Sequence, residues 1–475
     1  MPSKIGRREF LQTMVGGGVL LGTTSALGAG ARQKPLLLIS PGCRRSKVRI
    51  GKVYLGRPHA HWPTPQLDLN AERRKYELEF ARMAKEFSDV EFVVNELVTS
   101  PEQARRLKER LSQADGILLI HLSMGIGNML REVLGVGRPT ILFAAPYSGH
   151  EWTWFGRLMK QKEGALLDCL LTSDYNQLAA AIRPFRAVHH LREAKILNVT
   201  RRELPTGYVK EVKEKFGTEI VRIGRERMLE AYQAIPEAEA RAETKRWMEG
   251  AEKIVEPPEE EVFRSCKLAL AMQKVLDEEN ATLITIDCYG TMWRQLPAYP
   301  CIGHARLNNL GLAGICESDL QACMTFILLQ SISGKPGFVN DPTVDVSRNA
   351  IILAHCVGTP KMDGLEGEAA PYRLRSVMER QEGATCQVMM RLGQPVTSAM
   401  LIGTDLLVYF TGEIIETPDL PRGCRTKITV KVDGDIEKLW QNWTDGLHRV
   451  TCYGDLTKDL RRLCRFKGIK MVNEA

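Results

Sequence analysis

From residue 34 to residue 287 short apolar runs alternate with segments of helical periodicity, which leaves few folds open to this half of the chain. The runs lie at 35–39, 90–94, 116–120, 140–144, 194–199, 219–223 and 282–287. Their lengths suit buried strands, and the first ends at the turn formers Pro41-Gly42. Between them, 70–87, 100–113, 208–216 and 259–278 carry apolar residues at helical spacing. Ser100-Pro101 opens the second of these segments, and Phe263, Cys266 and Leu270 share one face of the last. The charged stretch 225–253, broken near Pro236 and stopped by Pro257-Pro258, reads as a solvated helical face. Alternating strands and helices predict parallel sheets covered on both faces.

The texture changes near Asn349. Runs at 350–354, 386–392, 399–403, 406–411 and 427–432 follow, and Gly403-Thr404-Asp405 offers a hairpin link. A strand and a helix within 450–466 close the chain. At 475 residues it is too long for one hydrophobic core. The predicted α/β architecture is two Rossmann-like parallel-sheet domains, 32–163 and 164–346, followed by a β-rich, barrel-like C-terminal domain, 347–475.

Residues 1–31 read as an export signal. Arg7-Arg8-Glu9-Phe10-Leu11 precedes a weakly apolar stretch rich in Gly and Ala, and Ala29-Gly30-Ala31 offers a cleavage site. The paired arginines followed by Phe and Leu resemble a twin-arginine signal, which implies the twin-arginine export machinery as a partner and a periplasmic or extracellular location. Such a route carries a folded chain that already holds its metal. Net charge is +8, of which the first 31 residues carry +2, and acids and bases interleave, so nucleic acid is not an expected partner. The twelve cysteines show no CxxC pairs and mostly sit in apolar segments, as buried thiols do.

Four polar residues stand out against apolar surroundings. Glu317 precedes a stripe of Leu320, Met324, Ile327 and Leu328, and counting back along it places Glu317 at a helix N-terminus on the buried side. Asp341 ends the short strand 337–339 in Asn340-Asp341-Pro342, and His355 ends the run 350–354. His448 precedes the strand that begins at Val450. Two carboxylates and two imidazoles suit one divalent cation with a base beside it. Singly, each also reads as a turn former, a dipole-complementing acid or a satisfied core histidine.

Taken together they match a family. Asp287-Cys288, Pro300-Cys301, Leu307-Asn308, Cys316-Glu317-Ser318-Asp319, Asn340-Asp341 and Ala354-His355-Cys356 resemble the L-fucose isomerase/L-arabinose isomerase superfamily, especially its shorter fucose-isomerase-like members. So does the block from His448-Arg449-Val450 through Tyr453-Gly454-Asp455 to Gly468-Ile469. The resemblance covers about the last 190 residues. It implies Glu317 and Asp341 as catalytic carboxylates and metal ligands, His448 as the C-terminal ligand and His355 as a ligand of the arabinose branch. It further implies Mn2+ or another divalent cation as cofactor, a monosaccharide-like substrate, aldose–ketose isomerisation through an enediol, and a homo-oligomer. Trp293 and Arg294 are candidate substrate-binding residues, as are Arg57, His59, His61 and Trp62, whose loop reaches a neighbouring subunit's site in that family.

Two other readings compete. Gly125-Ile126-Gly127-Asn128 after the run 116–120 resembles a phosphate-binding turn of a dinucleotide enzyme, although a third glycine is missing. The alternative on the same fold is a non-catalytic exported protein that binds a sugar or a metal.

Overall fold

The computed structural model describes residues 38–475; the signal expected in residues 1–31 and the start of the run at 35–39 lie outside the described residues. A first parallel sheet contains β1 (Val48–Leu55), β2 (Val90–Val98), β3 (Gly116–His121), β4 (Thr140–Ala144) and β5 (Leu167–Leu171), in the order β2-β1-β3-β4-β5. Among the described residues its first strand is β1, and the described end of the run at 35–39 is not a strand. Leu38 and Ile39 enter a turn in which the Ile39 N–H donates to Cys43 O at 2.9 Å. The strand that takes this place, β1, conceals a charge: Lys52 is buried, with its ammonium 2.7 Å from Glu77 and 4.1 Å from the centre of the Phe80 ring. An ion pair and an aromatic face offset the cost of desolvating that charge. Because β5 pairs with β4, the first sheet also runs past the expected boundary at 163/164.

The second parallel sheet has β6 (Lys195–Val199) and β7 (Glu219–Ile223) on one side, and β9 (Leu283–Ile286) and β10 (Ala313–Cys316) on the other. Its order is β10-β9-β6-β7. The short β8 (Lys253–Ile254) belongs elsewhere. Helix Glu259–Glu278 forms as predicted, and the charged stretch before it splits at Pro236 into Arg225–Gln233 and Glu237–Gly250.

The C-terminal part is a closed antiparallel barrel. Its strands are β11 (Phe338–Asp345), β12 (Ala350–His355), β15 (Pro395–Ile402), β16 (Leu406–Glu416), β17 (Thr426–Val432) and β18 (Arg449–Tyr453). The order β15-β18-β11-β12-β17-β16 returns to β15, which removes every edge but the one that β19 (Lys470–Asn473) covers by pairing with β16. Outside the barrel, β13 (Tyr372–Val377) pairs with β14 (Glu382–Val388) and with β8. The run expected at 386–392 is thus the end of a strand that starts earlier and does not belong to the barrel. The boundary at 346/347 also moves: β11, which carries Asp341, is hydrogen-bonded to β12 and β18 and is a barrel strand.

Helix Leu320–Ser333 lies between the second sheet and the barrel. It is apolar nearly all round, so it needs cover on every side. Met324, Phe326 and Ile327 share one core with Ile196 and Leu283 of the sheet and with Met400 and Val450 of the barrel. Asp319 caps the helix start and Gly334, at φ 72°, ends it. The link that brings the chain from β10 to this helix contains Glu317.

Candidate metal centre and active site

Strand register brings the four ligand-type residues together. In β11, Asn340 pairs with Arg449 of β18 and Asp341 pairs with Ala354 of β12. The residues next to those partners are His448 and His355, so one strand collects an imidazole from each neighbour. Glu317 approaches from the C-terminal end of β10, the end at which sites of parallel sheets collect.

The Glu317 carboxylate spans both rings. Its Oε1 lies 3.5 Å from His355 Nε2 and its Oε2 lies 3.7 Å from His448 Nε2. The ligand atoms of Glu317, His355 and His448 fall within 4.8 Å of one another. Asp341 joins through Oδ1, 3.3 Å from His448 Nε2. The two rings meet nearly edge to face, with centroids 5.5 Å apart.

Glu317 does not sit on the helix. Its φ is 68° and that of Ser318 is 57°, left-handed conformations that non-glycine residues seldom adopt. Three hydrogen bonds hold this link: Glu317 N–H to Ile286 O at 2.9 Å, Ser318 N–H to Thr285 Oγ1 at 3.1 Å, and Ser318 Oγ–H to Asn198 Oδ1 at 2.6 Å. Two strained residues in succession swing the carboxylate off the helix axis and into the space between the domains. Strain of this kind concentrates where surrounding structure fixes a functional side chain.

Asp319 is the residue that sequence reading passed over. Its side chain caps the helix through Ala322 N–H and also accepts the Nδ1–H of His448 at 2.9 Å. A ligand histidine whose other nitrogen is tied to a carboxylate is fixed in tautomer and ring orientation. The signal was present in the sequence as an Asp just before an apolar helix. Burial opposes a charge on His448, but Asp319, Asp341 and Glu317 outweigh it and raise its pKa to about 10. His304, also unremarked, lies behind this group, where burial and the charge of His355 push its pKa down to about 3.

The donor set fits a divalent cation. His448 Nε2 and Asp341 Oδ1 are buried, face each other without the alignment of a hydrogen bond, and have no hydrogen-bond partner among the described residues. Unsatisfied buried polar atoms are costly unless something else occupies the space between them. Carboxylate oxygens and imidazole nitrogens are the ligands that Mn2+ and its neighbours accept.

Trp293 and Arg294 do not join this group through polar contacts. Arg294 pairs with Glu382 at 3.2 Å, and Trp293 Nε1–H donates to Tyr299 OH at 3.3 Å. Arg294 lines a cavity of about 220 Å3 shared with Cys288, Met292, Tyr299 and Glu382. In the first sheet's unit, Arg57, His59 and His61 line a separate cavity of about 510 Å3 with Met124, Gly125 and Glu151. The segment that resembled a phosphate-binding turn opens helix Gly127–Leu134 with no side-chain cap.

No family profile matches the chain. It is 24% identical over 308 residues to the sulfoquinovose isomerase of Alkalicoccus urumqiensis, an alignment that covers 61% of this chain and 67% of that protein.

Proposed function

We propose that this protein is a metal-dependent aldose–ketose isomerase acting on a monosaccharide or monosaccharide derivative. The reading rests on the convergence of Glu317, Asp341, His355 and His448 on one point between β10 and the barrel. The sulfoquinovose isomerase that aligns with 61% of this chain supports the reaction class.

Glu317, Asp341, His355 and His448 would hold Mn2+ or a similar cation. Bound there, such a cation would supply Lewis-acid polarisation of the substrate carbonyl. The chain's own groups move the protons. One carboxylate, Glu317 or Asp341, takes the proton from the carbon beside the carbonyl, and the electron pair left behind forms the double bond of an enediol. Returning that proton to the former carbonyl carbon gives the ketose, while the other carboxylate passes the hydroxyl proton between the two oxygens. Asp319 holds the His448 ring through both steps, and the hydrogen-bonded link at 317–318 keeps the Glu317 carboxylate where it must act.

The resemblance extends this proposal to a homo-oligomer in which the loop with Arg57, His59, His61 and Trp62 serves a neighbouring copy. It extends it also to export through the twin-arginine route.

The test is to incubate purified protein with Mn2+ and a panel of aldoses that includes sulfoquinovose, and to assay for ketose. Ketose from at least one member supports the proposal. One bound Mn2+ per chain with no turnover on any sugar would identify a binding protein instead.

A further inference from the structure

A second convergence of ligand atoms lies one residue beyond His355. Cys356 follows β12 directly, Glu379 sits in the turn after β13, and Cys424 precedes β17. One ligand atom from each of these three separate segments falls within 4.8 Å of the others. Cys356 Sγ is 3.3 Å from Glu379 Oε2, and Cys424 Sγ is 3.0 Å from Glu379 Oε1. Both thiols are free.

We propose that Cys356, Cys424 and Glu379 bind a second cation, a soft divalent ion of the Zn2+ type. Two sulfurs and one oxygen select such an ion over Mn2+, which prefers the oxygen and nitrogen set at Glu317. The dimensions agree. Bond lengths of about 2.3 Å to sulfur and about 2.1 Å to oxygen give tetrahedron edges of roughly 3.5–3.8 Å. The three atoms lie within 4.8 Å of one another, so closing on a cation takes movements of about 1 Å. Glu379 is exposed, which gives a cation a way in and leaves a fourth position for water.

The surroundings have what such a site requires. Tyr289 OH donates to Glu379 Oε2 at 2.8 Å and orients the carboxylate from outside. Two thiolates and a carboxylate leave the site negative by one charge with a divalent ion. Arg425 stands beside it, buried and fixed by Ser376 O at 2.7 Å and Ser376 Oγ at 3.0 Å. Arg380 stacks over the Tyr289 ring at 5.1 Å. On binding, the two thiol protons pass to solvent and each sulfur donates a lone pair.

Cys356 shares a peptide bond with His355, so a cation here ties the end of β12 to two other loops. Its role is structural: it limits movement of the His355 backbone. The proposal stands whether or not the protein isomerises sugars.

The full chain, reduced and stripped of metal, is titrated with Co2+ while thiolate-to-cobalt charge-transfer absorption is followed. The oxygen and nitrogen set at Glu317 produces no such band. The expected result is a band that saturates within two equivalents, since the Glu317 set takes one Co2+ without absorbing there; it is lost in Cys424→Ser, survives in Cys43→Ser and needs more Co2+ in Glu379→Gln. Cys43→Ser controls for the other thiol near a histidine and a carboxylate, His189 and Glu193. Glu379 lies on the surface, so its variant answers the question even should Cys424→Ser fold poorly. Absence of the band in the wild type would overturn the site, as would its persistence unchanged in Cys424→Ser and Glu379→Gln. A thiol count showing Cys356 and Cys424 joined as a disulfide would do the same.

Discussion

Asp319 Oδ2 accepts the Nδ1–H of His448 at 2.9 Å, while Oδ1 of the same side chain accepts the Ala322 N–H, also at 2.9 Å. One carboxylate therefore fixes the start of the helix between the two domains and the orientation of a candidate metal ligand 129 residues away. Replacing Asp319 by Ala should cost about 1 kcal/mol of stability through the lost cap. It should also weaken Mn2+ binding by about 10- to 100-fold, as loss of a ligand's outer partner does. Calorimetric Mn2+ titration alongside thermal unfolding separates the two effects. Asp319→Ala with unchanged Mn2+ affinity would show that His448 needs no orienting.

The two carboxylates carry the proposed proton transfers. Glu317→Gln and Asp341→Asn should each lower kcat by at least about 10²- to 10⁴-fold, the usual contribution of a positioned acid or base. Both residues are only half-buried, so their variants should unfold near the wild-type temperature. The paired measurement is turnover on the best sugar together with a melting curve. Full activity in Glu317→Gln would remove it from the mechanism.

Next to His448, Arg449 is completely buried and paired with Glu474, whose Oε1 lies 2.7 Å from its Nη2. The same guanidinium donates to His448 O at 2.9 Å and Asp445 O at 3.0 Å. Glu474→Ala leaves an uncompensated buried charge, which costs about 3–5 kcal/mol. We expect a much lower melting temperature and, at temperatures where the variant is folded, weaker metal binding through a displaced His448. Chemical denaturation measures the first and Mn2+ titration the second.

Adjacent histidines far from this site should shape stability against pH in opposite directions. Burial works against a charge on His189, but hydrogen bonds to Asp115, Cys43 and Glu193 prevail and raise its pKa to about 11. Its contribution is whole below the unfolded value near 6.5 and declines as pH rises from there toward 11. His190 is buried between Ser40 Oγ at 2.9 Å and Ser331 Oγ at 3.1 Å, and burial with the charge of His189 lowers its pKa to about 3. Its contribution is whole above pH 6.5 or so and declines as pH falls toward 3. Each limb should slope by up to about 1.4 kcal/mol per pH unit. Denaturant unfolding from pH 4 to pH 10 should show the acid limb flatten in His190→Gln, with the alkaline limb unchanged.

Much of the fold was legible because the apolar runs that became β3, β4 and β6 carry no Asp, Glu, Lys or Arg beyond their first residue. β1 was not, since Arg49, Gly51 and Lys52 interrupt it and nothing local shows that Glu77 and Phe80 will shelter the lysine. Membership of β5 in the first sheet and of β11 in the barrel depends on pairing across the chain, which no local pattern encodes. The candidate ligands were found because each is a polar residue beside an apolar strand. Helical spacing counted back from Leu320 nevertheless puts Glu317 on the helix, although the backbone turns left-handed two residues earlier. Trp293 and Arg294 lie close in sequence to Asp287, yet their side chains engage Tyr299 and Glu382.

Crystals soaked in Mn2+ and measured at the manganese absorption edge show whether Glu317, Asp341, His355 and His448 hold one cation. One anomalous peak is expected within bonding distance of Glu317, Asp341 and His448, with His355 alongside. A peak elsewhere, or these side chains turned apart with only water among them, would contradict it.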